Sequence, residues 1–416
     1  MTHLPTPELL APVGSFESLQ AAIQARADAV YFGVGQLNMR SASAKNFAAE
    51  DLPEIAAQCH AHQIRSYLAV NTIIYEEEIP AMQALITQAR EVGVDAIIAS
   101  DVAAMQYANR IGMEVHISTQ ANISNSAALR FYAGFADVMV LARELTLDQI
   151  QQINNAIRDE DIRGPSGQLV RTEAFIHGAL CMAISGRCYL SAQTQNRSAN
   201  RGACLQLCRR SYQLQDVETG QRLEIDNRYI LSPKDLCTID FLDKILAAGV
   251  TILKIEGRAR PAEYVKTTVK CYRETLQAIK EDTCTDAKIA DWKKRLQKVF
   301  NRGFWEGYYL GAALPELSRR YGSQATERKI FIGRGINYFQ KVGVSEFVIQ
   351  TQSLHKGDKI LISGPTTGII EHTIDTMMVD DAWVDHAVQG QHVTFPLKQK
   401  IRNSDQLFKL VPASSK

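Results

Sequence analysis

The sequence contains no run of 18 consecutive apolar residues, so it predicts no membrane-spanning helix. Its first residues, MTHLPTPELLAPVG, hold neither a basic leader nor an apolar export segment. Low-complexity tracts are absent as well, and 46% hydrophobic with 22% charged residues is typical of a globular protein. We therefore expect a cytoplasmic protein without membrane contact, in a compartment where disulfides seldom persist.

The overall charge carries little information, because the 416 residues have a formal net charge of only +1. The distribution of charge is nevertheless uneven. Residues 1–150 carry 8 Lys and Arg against 16 Asp and Glu, whereas the remainder carries 38 against 29. This asymmetry favours an anionic partner, nucleic acid included, on the second part of the chain, although chance variation among solvated faces explains it equally well.

Eight short β-rich runs alternate with helical stretches, and the runs are apolar almost throughout, which indicates a parallel sheet covered by helices. The first helical stretch places Phe16, Leu19 and Ile23 on one face. No glycine-rich dinucleotide loop follows the first run, which argues against a Rossmann fold. Eight strands in this order predict a TIM-type (β/α)8 barrel. The runs are residues 8–13, 29–34, 66–72, 96–100, 114–119, 138–142, 173–178 and 252–256.

The length of the chain predicts at least two domains. Residues 1–280 form the predicted barrel, with an insertion at about 179–250 between its seventh and eighth strands. Because TIM barrels build their active sites at the carboxyl ends of the strands, this insertion leaves the barrel at its working end. Residues 281–325 are predicted to be a helical connecting segment, and seven β-like runs predict a small β-barrel at 326–416.

Cysteines cluster in that insertion: five of the chain's eight fall within 57 residues. Paired CxxC spacings, which zinc knuckles use, do not occur. The spacing suits an iron–sulfur cluster, which needs four thiolates, while zinc and no metal at all remain open. Cys59, Cys271 and Cys284 are expected to be buried core residues. The clustered cysteines are Cys181, Cys188, Cys204, Cys208 and Cys237.

Polar and charged residues stand at the carboxyl ends of the predicted strands, where a plain core would not need them. Lys254, Glu256 and Arg258 share parity on and after the eighth strand, so we expect them to point the same way. They form either structural ion pairs or a polar cup that binds carboxylates or phosphates. His177 is either a proton donor or a structural histidine. The other strand-end residues are Asn71, Asp101, Gln120, Asn122, Arg143, Glu144 and Glu173.

The insertion is also rich in arginine. Cations beside thiols lower the thiol pKa and stabilise a negatively charged cluster. Cations also bind RNA phosphates, and a solvated basic face is the remaining interpretation. The arginines are Arg187, Arg197, Arg201, Arg209 and Arg210.

The stretch EAFIHGALCMAISGRCYLS at 173–191 resembles, position by position, the signature E-x-F-x-x-G-[SA]-x-C-x-x-x-x-G-x-C-x-x-S of the collagenase-like peptidase family. The blocks ELLAPVGS, ISTQAN, RSANRGACLQLCR, LSPKDLC and LKIEGR are similar to blocks of that family as well. The resemblance covers about residues 8–280. The family takes its name from proteolysis, yet the sequence offers no HExxH, no GxSxG and no obvious Ser/His/Asp set.

The resemblance implies an oxygen-independent hydroxylation protein with a four-iron–four-sulfur (4Fe-4S) cluster, most like the tRNA 5-hydroxyuridine modification proteins. It implies the ligands Cys181, Cys188, Cys204 and Cys208, with Cys237 as the alternative fourth ligand. It further implies tRNA as substrate, prephenate or another small dicarboxylate as co-substrate, and an electron-donor or oxygen-donor partner protein. A collagenase-like metal-dependent peptidase, hydroxylation of rRNA or of a quinone ring, and an RNA-binding protein with a structural metal are the alternatives.

In this interpretation the catalytic set lies at the mouth of the barrel. The arginines hold the carboxylates of the co-substrate, and the remaining members are polar residues of the strand ends. The predicted set is Arg143, Glu173, His177, Lys254, Glu256 and Arg258.

Overall fold

Eight parallel strands close into a barrel in the computed structural model, which describes residues 7–42, 46–213, 215–221, 229–312 and 314–413. The predicted TIM-type barrel is thereby confirmed. Neighbouring strands pair in chain order, and the last pairs with both the seventh and the first, which closes the ring. The strands are β1 (Glu8–Pro12), β2 (Ala29–Gly33), β3 (Arg65–Val70), β4 (Ala96–Ala99), β5 (Glu114–Ile117), β6 (Val138–Val140) and β7 (Arg171–Ala179), then β8 (Asp235–Cys237), which stands outside the ring, and β9 (Ile252–Ile255), which completes it.

The insertion after β7 returns along the barrel wall before the chain enters β9. Strand β8 runs antiparallel to the end of β7, with Cys237 opposite His177. A further strand, β10 (Phe304–Trp305), lies parallel to β8 on its outer side. The segment 281–325, which the sequence predicts to be helical, therefore contains one helix followed by a strand that extends the barrel sheet.

The helices cover the outside of the barrel, and capping side chains fix their ends. Ser15 forms a capping box at the first helix, and Asp101 accepts a hydrogen bond from the first turn of the fourth. Leu19 is fully buried, while Phe16 and Ile23 pack against the same core, as predicted. None of the described helices has both the length and the apolar character that crossing a membrane requires. The helices are α1 (Phe16–Gln24), α2 (Leu52–Ala61), α3 (Ile79–Glu91), α4 (Val102–Arg110), α5 (Ser126–Ala133), α6 (Leu147–Asp159), α7 (Leu190–Gln195), α8 (Leu242–Ala247), α9 (Ala262–Lys280) and α10 (Asp286–Lys298).

The C-terminal residues form an antiparallel β domain, as predicted. Eight of its strands follow the order β15-β14-β20-β11-β12-β19-β16-β17, and β13 pairs with β18. Residues from both ends of this order, Ile370 and Met377 among them, share one apolar core, so the sheet curls around it. The strands are β11 (Glu327–Phe339), β12 (Val344–Ile349), β13 (Leu354–His355), β14 (Lys359–Gly364), β15 (Gly368–Thr373), β16 (Met377–Val379), β17 (Ala382–Val384), β18 (His386–Ala387), β19 (His392–Pro396) and β20 (Gln406–Pro412).

The β domain packs against the barrel through α1 and α9. Gln24 of α1 donates to the carbonyl oxygen of Thr367 (2.7 Å) and accepts from the amide of Ile369 (3.1 Å). Lys266 of α9 donates to the carbonyl oxygen of Ile369. Leu361 and Ile369 join the core of the barrel rather than that of the β domain. The two domains therefore share apolar as well as polar contacts, on a side wall of the barrel.

The backbone of β7 depends on Gly178. Its φ is +105°, and a Cβ there would lie 2.3 Å from the carbonyl oxygen of Glu256. Gly178→Ala must displace the backbone after β9, so we expect the free energy of unfolding to fall by about 2–4 kcal/mol. Gly167→Ala is the control, because Gly167 has φ +77° but no atom within 4 Å of its added Cβ; the expected loss is about 1 kcal/mol. Urea unfolding measures both, and equal losses would contradict the packing argument.

Candidate functional site

A cavity of about 360 Å³ opens at the carboxyl end of the barrel, where TIM barrels build their sites. Its floor consists of residues on or just after the barrel strands, and its roof consists of residues 181–210 of the insertion. The volume falls within the range of small-molecule binding sites. The insertion thus covers the mouth of the barrel instead of standing apart from it.

Four cysteines of the roof line this cavity, and each is half-buried: Cys181, Cys188, Cys204 and Cys208. Short 3-10 turns present them. The turn Ile184–Gly186 separates the first two, and the turn Leu207–Arg209 contains the fourth. Loops that are separate in sequence therefore bring four thiols to one wall.

Gly202 lets the roof approach the loop after β2. Its φ is +77°, and a Cβ would lie 2.1 Å from Oγ of Ser41 and 2.5 Å from the carbonyl oxygen of Asn38. The amide of Ala42 donates to the carbonyl oxygen of Gly202 at 3.1 Å. Only glycine allows this approach without displacing the loop, and the approach holds Cys204 over the floor.

The four thiols affect one another electrostatically. Burial raises the pKa of Cys208, the neighbouring Arg209 opposes this, and Cys181, Cys204 and Cys188 raise the pKa further. Ionising all four together therefore requires a compensating positive charge. Within the described ranges, no three His, Cys, Asp or Glu side chains converge tightly enough to hold a single metal ion.

Cys237 lies outside the cavity. It is buried in β8, where the hydroxyl of Tyr272 contacts its sulfur at 3.9 Å. Burial raises the pKa of Cys237 to about 11, as expected for an inert thiol. Cys59 and Cys271 are buried in the core, as predicted, whereas Cys284 is exposed, so the prediction of a core position is wrong for that residue.

The floor of the cavity is cationic. Arg258 is buried and donates to Oδ1 of Asn38 at 3.1 Å, and Arg40 donates to Glu256 at 2.7 Å. Burial opposes ionisation of Glu256, but Arg40 and Arg258 outweigh it and lower the pKa of Glu256 to about 2. Among the lining residues that the structure describes, Glu256 is the one acidic side chain, whereas six side chains are basic: Arg40, Arg143, Arg209, Lys254, Arg258 and Arg260. The cavity is therefore suited to an anionic ligand.

The structure brings most of the predicted floor residues together. Lys254, Glu256 and Arg258 line the cavity on one side, as their parity predicts, and Asn71, Gln120 and Arg143 line it as well. Glu173 lies beneath the floor, fully buried, and accepts from Lys254 at 2.6 Å.

Besides Glu173 and His177, three more of the predicted strand-end residues lie outside this lining. Asp101 caps α4, and Asn122 accepts a hydrogen bond from the hydroxyl of Ser185 at 2.7 Å, so both have structural contacts. Glu144 does not line the cavity either. The polar residues at the strand ends are thus divided between the floor and the loops that support it.

His177 is buried behind the cavity wall. Its ring packs among Tyr264, Tyr272 and Phe304, and its Nδ1 lies 3.3 Å from the hydroxyl of Tyr272. Burial, with Arg260 nearby, lowers the pKa of His177 to about 3, so the imidazole is neutral at physiological pH. These contacts match the structural alternative better than a proton donor facing the cavity.

The sequence interpretation missed the loop after β2. Tyr31, Asn38 and Arg40 all contact the predicted set: the hydroxyl of Tyr31 donates to Glu256 at 3.0 Å, and the other two bind Arg258 and Glu256. The available signal was their position, because Tyr31 lies on β2 itself and Asn38 and Arg40 follow its carboxyl end.

Comparison with known proteins identifies this architecture. Residues 14–319 match the model of peptidase family U32. The chain belongs to peptidase family U32. A protein named collagenase from Porphyromonas gingivalis is 54% identical over 402 residues, covering 97% of each chain. An uncharacterized protease of Methanocaldococcus jannaschii is 39% identical, covering 97% of this chain and 98% of the relative. The tRNA hydroxylation protein P1 of Bacillus subtilis is 31% identical, covering 97% and 94%.

The collagenase-like family predicted from the sequence is thereby confirmed for this U32 protein. The finer expectation, a chain most like the tRNA modification proteins, is not supported by identity. The relative named collagenase is more similar than the one named tRNA hydroxylation protein, 54% against 31%.

The thiols of the U32 protein should differ in reactivity according to whether they border the cavity or are buried in the core. In metal-free, reduced protein we expect iodoacetamide to alkylate the four roof cysteines well before Cys237, because they border a cavity whereas Cys237 is buried with a pKa near 11. Peptide mass spectrometry of native samples over time measures the order, and urea-unfolded protein is the control in which the difference disappears. Alkylation of Cys237 ahead of any roof cysteine would contradict the assignment.

Proposed function

We propose that this U32 protein hydroxylates the wobble uridine of tRNA at a 4Fe-4S cluster held by Cys181, Cys188, Cys204 and Cys208. The supporting observation is the shared cavity: four half-buried thiols and a cationic floor face one space at the mouth of the barrel. Cys237 is left out of the proposed ligand set because it is buried outside that space.

The roof fits such a cluster in donor type and number. A four-iron cluster takes one thiolate per iron, so its ligands surround a core of several atoms. A structural zinc site instead draws four ligands to about 2.0–2.3 Å from one ion. The described residues contain no three His, Cys, Asp or Glu side chains that converge in that way. Donor type and number thus suit a four-iron cluster, and zinc is the alternative that metal analysis tests.

The proposed reaction must balance. When bound, the cluster supplies redox-active iron at the cavity. Replacing C5–H of uridine by C5–OH with oxygen from water releases two protons and two electrons. The reaction consequently needs a two-electron acceptor rather than the electron donor that the resemblance implies, and we propose an electron-transfer partner protein in that role.

The floor residues hold the anionic groups of the ligands. Arg143 and Arg258 bind carboxylates through paired N–H groups, which favours a dicarboxylate such as prephenate as co-substrate. Nζ of Lys254 lies 4.5 Å from the ring centre of Tyr31 and 5.5 Å from that of Phe175, at the bottom of the cavity. The roof covers the bound groups and limits the access of water to them.

The charge of the roof supports RNA as the partner. Residues 174–215 contain five arginines and no Asp, Glu or Lys. Arg187, Arg197 and Arg210 are exposed, and Tyr189, beside Cys188, is 83% exposed. Exposed arginines bind phosphates and an exposed aromatic ring stacks on an unpaired base, so this surface suits a single-stranded RNA loop.

Iron content tests the ligand set. We expect anaerobically reconstituted protein to bind about four iron and four sulfide per chain. Cys208→Ser should lose most of this iron, because the thiol faces the cavity, whereas the matched variant Cys237→Ser should retain it. Iron and sulfide assays with the visible absorption spectrum measure both. Loss of iron only in Cys237→Ser would reassign the fourth ligand, and one zinc with no iron would refute the cluster.

Nucleoside mass spectrometry of tRNA tests the function. A strain that lacks the gene should lose 5-hydroxyuridine derivatives at the wobble position, and the wild-type gene should restore them. Cys208→Ser should fail to restore them while Cys237→Ser succeeds. Unchanged tRNA with an altered rRNA nucleoside or quinone pool would move the activity to those substrates. Full restoration by Cys208→Ser would instead favour an RNA-binding protein whose metal is structural.

A collagenase-like peptidase is the second candidate, and the 54% identity to the protein named collagenase favours it. The apolar residues exposed on the roof, such as Ile184 at 64% exposure, also suit a peptide. Cleavage of a collagen-like peptide by the purified protein, abolished by the roof cysteine variants, with unchanged tRNA nucleosides, would establish this alternative over hydroxylation.

A further inference from the structure

A column of alternating charges runs through the barrel beneath the cavity. Lys254 lies 2.6 Å from Oε1 of Glu173, and Oε2 of Glu173 lies 3.4 Å from Nδ1 of His116. Nε2 of His116 lies 3.2 Å from Glu114 on the same strand. Side chains of Glu173 and His116 are 0% exposed, so the middle of the column is sealed from solvent. A TIM barrel usually fills this space with branched apolar side chains.

The far end of the column reaches solvent at the amino ends of the strands. Glu114 accepts from Arg65 at 2.5 Å and from Arg171 at 3.0 Å, and all three side chains are partly exposed. Burial opposes ionisation of Glu114, but His116 and the two arginines outweigh it and lower the pKa of Glu114 to about 2. Glu114 is therefore a permanent negative charge beneath His116.

Three elements face His116. Glu114 lies on β5, the strand of His116 itself, and Glu173 lies on β7. Tyr67 lies on β3: its ring centre is 4.4 Å from that of His116, and its hydroxyl donates to Glu8. Oε2 of Glu173 and Nδ1 of His116 have no aligned hydrogen-bond partner, so charge attraction holds them together. Burial lowers the pKa of His116, but Glu114 and Glu173 outweigh it and raise the pKa above its ordinary value. Lying between two carboxylates, His116 therefore favours its protonated form, whose charge is lost as the pH rises through the raised pKa.

We infer that His116 is a positioning residue for Lys254: its charge balances Glu173, so that Lys254 can pass a proton to an anionic ligand of the cavity. In that step one N–H bond of the Lys254 ammonium breaks and one O–H bond forms on the ligand oxygen. Only the identity of the ligand rests on the proposed function.

Charge balance carries this inference. When His116 is a cation, Glu173 still has His116 as its counter-charge after Lys254 loses a proton. The charges of His116, Glu173 and Lys254 then sum to zero. With His116 neutral, the same loss leaves the fully buried Glu173 carboxylate without a counter-charge. An uncompensated buried charge is strongly unfavourable, so Lys254 would then be confined to its ammonium form.

The reactivity of Lys254 tests the inference without RNA or cluster. Cyanate reacts only with the neutral amine, so its rate of reaction at Lys254 reports how readily that amine loses its proton. His116→Gln keeps a polar side chain but removes the charge, and we expect the rate at pH 7.5 to fall at least about tenfold. Peptide mass spectrometry of the full-length protein measures this rate.

His177→Gln is the matched control. His177 is also buried in the barrel, but it does not contact Glu173, and its low pKa of about 3 makes it neutral already. We expect its variant to leave the rate at Lys254 unchanged. Equal rates in wild type and His116→Gln would overturn the inference, and so would an equal fall in both variants, which would indicate repacking.

Glu114→Gln provides a second variant if His116→Gln does not fold. It removes one of the two carboxylates that favour a charge on His116, so the rate at Lys254 should fall in the same direction but less far, because Glu173 still faces His116; a rate equal to or above that of the wild type would overturn the inference. The labelling needs no substrate, so the two proposals can fail separately. If the rate at Lys254 falls in the variant while loss of the gene leaves the tRNA nucleosides unchanged, the proposed function is refuted and the role of His116 stands.

Discussion

The ion pair between Lys254 and Glu173 is the contact on which the arrangement of the site depends. Glu173 lies on β7 and Lys254 on β9, the two strands that enclose the insertion. A buried pair gains little net stability, because desolvation offsets the attraction, so its main effect is to specify how the two strands align. That alignment places Cys181 just beyond one strand and Arg258 just beyond the other. The pairing of β7 with β9 therefore fixes the position of the roof relative to the floor.

The thiols and the basic side chains of the cavity come from different parts of the fold. Its thiols come from the loops of the insertion, whereas most cations of its floor, Lys254 and Arg258 among them, lie on or just after barrel strands, and Arg40 joins them from the loop after β2. Loops adjust to a bound inorganic core, and rigid elements fix the direction of groups that must bind a ligand. The contact between Lys254 and Glu173 beneath the floor, at 2.6 Å, likewise joins two strands that neighbouring strands fix on both sides.

Much of the fold could be predicted from the sequence because its signals are local. Apolar runs gave all eight barrel strands within a few residues, and the two-residue period placed Lys254 and Arg258 on one side. Strand β10 was missed because two residues carry no periodicity, and its pairing with β8 depends on contacts distant in sequence. Arg40 was missed because its approach to Glu256 requires the loop after β2 to fold back.

The charged column was within reach of the same period-two argument. Glu114 and His116 share parity on β5, as do Arg171 and Glu173 on β7, so both pairs point to one side of their strands. A buried strand is recognised in a sequence by its apolar residues, however, and His116 lies between Val115 and Ile117. A single histidine in such a run gives no sign that two carboxylates from different strands meet it, because that convergence follows from closure of the ring.

The relative named collagenase and the proposed chemistry of the cavity point in different directions, and the two rest on different evidence. Identity measures descent over the whole chain, whereas a reaction depends on a few side chains. Peptide hydrolysis needs a general base, a paired nucleophile or bound metal that activates water. The floor carboxylate Glu256 is a weak base, because Arg40 and Arg258 lower its pKa to about 2. The nearest histidine in sequence to the roof thiols, His177, packs behind the wall among aromatic rings and so is not placed to activate them. Four thiols above a cationic floor suit an inorganic cluster and an anionic ligand, and the proposed hydroxylation rests on that observation, whereas the 54% identity favours the peptidase.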